Sequence, residues 1–293
     1  MGYSRWNASD YTTYSSSIAS KSAAQVFTSN SINEELDPRH ITVRESRDSV
    51  QNPMATPIII ASDVTGSMGM ISDHIIRSGL GTLVGEIINR QPVADPQICC
   101  MAIGDIFFDR APLQVTQFEP DVGITSQLEK MFIEGGGGGN RSESYQLPWY
   151  FAAFHTASDH FEQRGQKGYL FTIGDEEVPP TLEKAQLARI GITAQQDYTT
   201  EELYQLVSEK YHTFHIIVEQ GSYMRSRPRE VRQSWKTLME DHAIQLSDYT
   251  KLSEVVVSVI QINEGADRHD VINSWDAATQ PVIAHAVNGI QVA

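Results

Sequence analysis

The sequence predicts an α/β fold, a doubly wound, mostly parallel sheet flanked by helices and preceded by a polar N-terminal arm. Three observations predict it. Apolar runs of strand length at residues 58–61, 98–103 and 169–173 are continuous rather than alternating, as expected of strands buried on both faces. Each run stops abruptly before or at a carboxylate, at Asp63, Asp105 and Asp175. Segments with helical periodicity separate the runs, and strands alternating with helices imply crossover connections and a parallel sheet.

The elements come in this order. After the first strand, Ile71, Ile75, Ile76, Leu80, Leu83, Val84, Ile87 and Ile88 recur at the spacing of an amphipathic helix lying on a sheet. The second strand, residues 98–103, turns near Arg110-Ala111-Pro112 into an antiparallel partner at 113–118. A short helix around 126–132 leads into five glycines, Gly135 to Gly139, and then Asn140-Arg141-Ser142-Glu143. A helix bearing Leu147, Phe151, Phe154 and Phe161 precedes the third strand. Residues 199–211, 213–218, 228–239 and 243–246 continue the alternation. Leu252, Val255, Val256, Val259 and Ile260 fit a helix, although so many valines also suit a strand.

Three regions are expected: an arm at 1–53, a main domain at 54–263 and a C-terminal extension at 264–293. The arm carries eight serines in its first thirty positions and too few large apolar residues to form its own core. Its residues 40–44 alternate well enough for a short strand, so it is expected to pack on the main domain or on a neighbour. Beyond Asn263 the chain reads as polar and irregular, a surface extension.

Composition limits the function. Hydrophobic residues at 40% and charged residues at 20% are the ordinary globular mixture, which excludes wholesale disorder and fibrous architectures. A net charge of −15 would repel phosphate backbones and anionic lipids, and no basic patch reverses it, so neither nucleic acid nor a membrane is the expected partner. No run approaches the roughly 18 apolar residues that span a bilayer, and no signal-peptide pattern opens the chain. A cytoplasmic location is the expectation, in a prokaryotic or phage-infected cell. The two cysteines, Cys99 and Cys100, are adjacent within a strand and point to opposite faces, which suits small core residues in a reducing compartment.

In an open parallel sheet, ligands bind at the carboxyl ends of the strands where strand order reverses. Asp63 and Asp175 fall there, and the glycine run brings Asn140, Ser142 and Glu143 to the start of a helix. Asp63, Thr65 and Ser67 alternate, so in an extended turn their oxygens face one way, and Thr65 is expected at a solvent-facing strand end. Hard oxygen donors suit Mg²⁺ or Mn²⁺, with Ca²⁺ also admitted, and no His or Cys cluster offers a zinc site. The glycine loop lacks the Lys of a phosphate-binding Walker loop. Asp105 also ends a strand, either as a turn carboxylate or as outer support for an ion. His155, Asp159 and His160 lie close together on a helix but read as a solvated face.

The residues from Ile58 to Met68, ending Asp63-Val64-Thr65-Gly66-Ser67-Met68, resemble the first loop of the metal-ion-dependent adhesion site (MIDAS) of von Willebrand factor A (vWA) domains. The family pattern is Asp-x-Ser-x-Ser, and Thr65 keeps a hydroxyl at the first Ser. Ile173-Gly174-Asp175-Glu176-Glu177-Val178-Pro179 is similar to the third loop of that site. The second loop departs from the commonest form; Gly138-Gly139-Asn140-Arg141-Ser142-Glu143 resembles the integrin-β variant with two substitutions, which favours Glu143 over Asn140 as ligand. The resemblance spans about residues 55–262, in the layout of stand-alone prokaryotic or phage members. It implies metal ligands Asp63, Thr65, Ser67, Glu143 and Asp175, no catalysis, and a protein partner whose Asp or Glu completes the coordination of the ion.

Two rivals stand beside that expectation. In one, the chain is a structural subunit whose arm and tail lock copies into an assembly, which makes the arm a candidate homo-oligomerisation element. In the other, Asp63 is the nucleophile of a Mg²⁺-dependent phosphotransfer enzyme, but the haloacid-dehalogenase motif needs a second Asp where Thr65 stands.

Overall fold

The computed structural model of the chain describes residues 25, 27, 29–68, 71, 74, 80–121, 123–134 and 142–290. Six strands form the central sheet: β1 (Thr56–Asp63), β2 (Pro96–Ile103), β3 (Leu113–Val115), β4 (Gly168–Gly174), β5 (Tyr211–Val218) and β6 (Ala243–Leu246). Their order is β6-β5-β4-β1-β2-β3. All neighbours are parallel except β2 and β3, which pair antiparallel. The doubly wound α/β fold predicted from sequence is the fold adopted. The chain starts mid-sheet, winds outward to β3, then crosses back to β4, which leaves a crevice at the carboxyl ends of β1 and β4.

The helices around the sheet include α1 (Leu80–Arg90), α2 (Gln146–Phe154), α3 (Thr200–Ser208), α4 (Pro228–Met239), α5 (Leu252–Asn263), α6 (Arg268–Asn273) and α7 (Gln280–Ala286). Every residue of β1 is buried, and its side chains alternate between two cores. Ile58 and Ile60 join Cys100, Leu83, Ile87 and the valines of α5 on one face. Ile59 and Ala61 join Cys99, Trp149, Leu203 and Trp235 on the other. The adjacent cysteines thus lie on opposite sides of the sheet, both free and buried.

Local chemistry sets the helix boundaries. The hydroxyl of Thr199 accepts from the N–H of Glu202 at 3.1 Å, while the Glu202 carboxylate accepts from the Thr199 N–H at 2.7 Å, a reciprocal cap that starts α3. Pro228 opens α4, and Val231, Trp235 and Met239, four residues apart, form its buried stripe. Despite its β-branched residues α5 is a helix, because every residue from Leu252 to Ile260 is buried and packing outweighs propensity.

An element buried along nearly its whole length needs cover on more than its sheet-facing side. For α5 the outer cover comes from residues 264–290, in which the sequence pattern suggests only a polar, irregular surface extension. They form α6 and α7, and Val271, Trp275, Ile283, Val287 and Ile290 enter the same core as β1. The Trp275 indole donates to the Ser258 hydroxyl at 2.8 Å and is covered by the Arg90 guanidinium at 3.2 Å from the ring centroid. The apolar residues are too widely spaced among Asp, Asn and Gln to read as a stripe.

The described part of the arm packs on the domain. Its strand is Arg44–Ser46 rather than 40–44, parallel to Thr156–Ser158. Asp37 caps a helical turn at Pro38–His40, which displaces the strand toward the C-terminus. The same pairing splits the helix expected across 147–161, since Thr156–Ser158 is extended between α2 and a short turn of helix at Asp159–Glu162. Asp159 in that turn is buried and accepts from Arg47 at 2.9 Å and from the Asp48 N–H at 2.9 Å, an arm contact rather than a solvated face. Among the described residues no helix is long and apolar enough to cross a membrane.

Substitution in the C-terminal helices measures their part in the core. Ile283→Ala and Trp275→Ala are each expected to cost about 2–5 kcal/mol in urea denaturation, the range for truncating buried side chains. Losses below about 0.5 kcal/mol for both would return the segment to a surface role.

Candidate functional site

The crevice between β1 and β4 is built from carboxylates. Asp63, the last residue of β1, is fully buried because β2 and β4 flank it. Its Oδ1 accepts from the Thr65 N–H at 2.8 Å and from the Thr65 hydroxyl at 2.6 Å. Thr65 is itself buried, not solvent-facing as expected, with its hydroxyl and N–H both turned to the buried Asp63 carboxylate. The Thr65 and Ser67 hydroxyls are 3.3 Å apart, and Ser67 donates to Asp175 Oδ1 at 2.7 Å. An unbroken chain of oxygens, Asp63-Thr65-Ser67-Asp175, therefore joins the first and third loops, as their places at the ends of parallel strands predict.

Asp175 follows β4 and is also buried. Its Oδ2 accepts from the Tyr223 N–H at 2.9 Å. The Gly221 backbone lies so close that a Cβ there would sit 2.2 Å from that oxygen. The same loop reaches the first one, with the Ser222 N–H donating to the Ser67 carbonyl at 3.2 Å.

Glu143 comes from the loop before α2 and is 2% exposed. Among the described residues no donor reaches its Oε2, nor the Oε2 of Glu176, which is also buried. Ser144, next to Glu143, ties this loop to the end of β2, donating its N–H to the Gly104 carbonyl at 3.2 Å and accepting from the Ile106 N–H at 2.8 Å. Asp105 is fully buried, its Oδ1 accepts from the Phe107 N–H at 2.7 Å in its own turn, and its charge acts on Glu143 and Glu176. Ser142 is half-buried immediately before Glu143. Asn140 lies outside the described residues.

Sequence reasoning missed Tyr145 and Glu176. The Tyr145 hydroxyl donates to Asp63 Oδ2 at 3.0 Å and accepts from the Glu176 N–H at 3.3 Å, bridging the first and third loops. Gly174 makes room for it, since a Cβ there would lie 2.1 Å from the hydroxyl oxygen. Nothing in the run Ser142-Glu143-Ser144-Tyr145 distinguishes that tyrosine from a core aromatic. Glu176 could have been noticed, being a carboxylate directly after a predicted ligand.

Electrostatics makes this cluster unusual. Burial, reinforced by the charge of Asp175, pushes Asp63 up to about 7 against the hydrogen bonds of Thr65. Burial and the charges of Asp63, Glu176 and Asp105 push Glu143 up to about 10. Burial and the charges of Asp63 and Asp175 push Glu176 up to about 8. Burial also raises Asp175, opposed by Ser67 and backbone N–H groups. The charges that act most strongly on Asp63, Glu143 and Glu176 are those of the other acids.

The donor set is hard, carboxylate and hydroxyl oxygen throughout, which fits Mg²⁺, Mn²⁺ or Ca²⁺ rather than zinc or copper. Among the described residues no three His, Cys, Asp or Glu side chains stand together as a ready metal-binding group. A cation in this crevice would need the Thr65 and Ser67 hydroxyls alongside the carboxylates, and the unpartnered Glu143 Oε2 is a free acceptor for it.

No protein-family model matches the chain, and no curated protein matches it. Among solved structures, the pilus adhesin SpaC from Lactobacillus rhamnosus GG is similar with a TM-score of 0.50 and 10% identity, over 74% of this chain and 32% of the adhesin. Its open conformation gives 0.48 at 10% identity, over 74% and 31%. Proximal thread matrix protein 1 from the mussel byssus gives 0.42 at 9% identity, over 71% and 47%. The match thus spans about a third of the adhesin's length, and at 10% identity the likeness is one of fold.

The raised carboxyls imply a pH dependence. Between the unfolded carboxylate range near 4 and the folded values of about 7, 8 and 10, the native protein holds protons that the unfolded chain has lost. Stability of the chelator-treated protein should therefore be greatest below the unfolded range and fall as pH rises through the folded values. The slope is about 1.4 kcal/mol per pH unit for each extra proton held. Urea denaturation in chelator at stepped pH checks this, with Glu143→Gln expected to flatten the slope by about one proton's worth. A stability that rises across that window would contradict the assignment.

Proposed function

We propose that the chain is a metal-dependent protein-binding module of the vWA type, in which Asp63, Thr65, Ser67, Glu143 and Asp175 hold Mg²⁺ or Mn²⁺ at a MIDAS-like site. One observation carries this reading. Buried carboxylates converge where strand order reverses, joined by two hydroxyls, and the charges that act most strongly on them are one another's. Crowded buried acidic charge of that kind is costly, and a divalent cation is a compensation that the donor chemistry fits.

Each residue has a distinct part. Asp63 and Asp175 are oriented before any ligand arrives, Asp63 by Thr65 and Tyr145, Asp175 by Ser67 and the Tyr223 N–H. Thr65 and Ser67 add neutral oxygens between them. Glu143 supplies a buried acceptor that no donor reaches among the described residues. When bound, the cation supplies positive charge at the rim of an acidic molecule and a position for an Asp or Glu carboxylate of a protein partner.

The rivals draw less support. A phosphotransfer nucleophile needs a free, exposed oxygen, whereas Asp63 is fully buried with both oxygens accepting hydrogen bonds. An assembly role for the tail fits poorly with Trp275 and Ile283 buried in the chain's own core.

Calorimetric titration with Mg²⁺ and Mn²⁺ tests the site. The wild-type protein should take up one ion, Ser67→Ala should bind it at least about tenfold more weakly, and Asp63→Ala should not bind it. Equal uptake by wild type and Asp63→Ala would falsify the assignment. A phosphatase assay with metal present addresses the enzyme rival: no turnover is expected, and turnover lost in Asp63→Asn would put the carboxylate nucleophile first.

A further inference from the structure

The two edges of the central sheet are finished differently. At β3 the arm seals the edge: the Val115 N–H donates to the Leu36 carbonyl at 2.8 Å, and the Arg44 guanidinium donates to the Val115 carbonyl at 2.9 Å. At β6 no strand among the described residues pairs with the outer side. The ladder fixes which backbone groups face outward there. The Leu246 carbonyl accepts from the Glu219 N–H at 3.0 Å, so residue 246 is turned toward β5, and alternation along the strand turns the N–H and C=O of Gln245 away from it. Natural sheet edges are blunted by charge, proline or bulges, and the strand Ala243–Leu246 carries none of these.

Ala243 and Gln245 line an open groove of about 380 Å³, walled by α4 on one side and by the end of α7 on the other. Its charges are sorted by sign. Arg232 and Lys236 line it on α4, and Arg232 donates at 2.7 Å to Glu219, just past the carboxyl end of β5. Glu240 and Asp241 line it at the opposite end, immediately before β6. Among the described residues Lys236 and Glu240 belong to no ion pair. Asp248, the acid beyond the carboxyl end of β6, is engaged in its own turn, where its Oδ1 accepts from the Thr250 hydroxyl at 2.8 Å.

We propose that two copies of this chain pair through β6, antiparallel about a two-fold axis near Ile244, so that one sheet runs through both. That axis offers each Gln245 N–H the Ala243 carbonyl of the other copy. It also turns the grooves end for end, so that the Arg232 and Lys236 wall of one copy approaches the Glu240 and Asp241 end of the other. A groove basic toward one end and acidic toward the other suits its own rotated image better than it suits a uniformly acidic or basic partner. The described part of the arm is occupied at β3, and the carboxylate site lies between β1 and β4, so this inference stands apart from the function proposed above.

Sedimentation velocity of the full chain over a concentration series, in Mg²⁺ and again in chelator, tests the pairing. A dimer is expected at micromolar concentration in both. Lys236→Glu and Glu240→Lys should each raise the dimer Kd about tenfold, because the axis makes every substitution count twice, and the double variant should return it to the wild-type value. Gln245→Pro removes an N–H that faces away from β5, and it should leave a monomer whose urea midpoint stays close to that of the wild type. A wild type that is monomeric throughout, a dimer lost in chelator, or charge variants with unchanged Kd would each overturn the inference. A Gln245→Pro variant that stays dimeric would also overturn it, by placing the contact elsewhere, as on the arm. Should Gln245→Pro fail to fold, the charge variants decide, since Lys236 and Glu240 are exposed.

Discussion

The burial of Asp63 is the constraint on which the site's architecture depends. A strand flanked on both sides ends out of water, so its terminal carboxylate needs donors from the protein itself. Thr65 supplies two and Tyr145 a third. Each donor brings further requirements. Tyr145 can stand at Asp63 only because residue 174 has no side chain, and Asp175 fits only because residue 221 has none. The four loops around the crevice are thus coupled through a few close contacts, and a change at any of them reaches Asp63.

Beneath the carboxylates lies an aromatic wall that fixes Tyr145. The Trp235 indole stacks on His215 with centroids 3.4 Å apart, and Tyr145 meets both rings edge-on at 5.5 and 5.1 Å. Trp235 also donates to the Glu176 carbonyl at 2.8 Å, so α4 holds the loop after β4 directly. Burial keeps His215 neutral, with its Nδ1 2.9 Å from the Thr172 hydroxyl. Polar groups above and rigid rings below leave the acidic oxygens little freedom to relax away from one another. Such preorganisation reduces the ordering cost of binding an ion or a carboxylate, while its electrostatic strain persists in the metal-free state.

Much of this was legible in the sequence because it is local. The continuous apolar runs before Asp63, Asp105 and Asp175 specified strands, and the alternation of Asp63, Thr65 and Ser67 specified oxygens on one side of a turn. The convergence of Asp63 and Asp175 followed from the general behaviour of parallel sheets. What was not legible depended on distant partners. Tyr145 is one of many aromatics until Gly174 is placed opposite it. Residues 264–290 read as polar because their apolar residues are sparse, and each is buried by its position against α5 rather than by a periodic pattern. Thr65 was expected in solvent because a strand end usually is, yet it is buried with its donors on Asp63.

The way α5 is covered bears on how the chain is made. A helix buried along nearly its whole length is laid down before α6 and α7, which pack against it. Until residues 264–290 have docked, the sheet and α5 present an apolar surface that Val271, Trp275, Ile283, Val287 and Ile290 later cover. The nascent domain therefore passes through a stage in which its sheet is formed yet one apolar flank is open, and it stays prone to association until α6 and α7 dock.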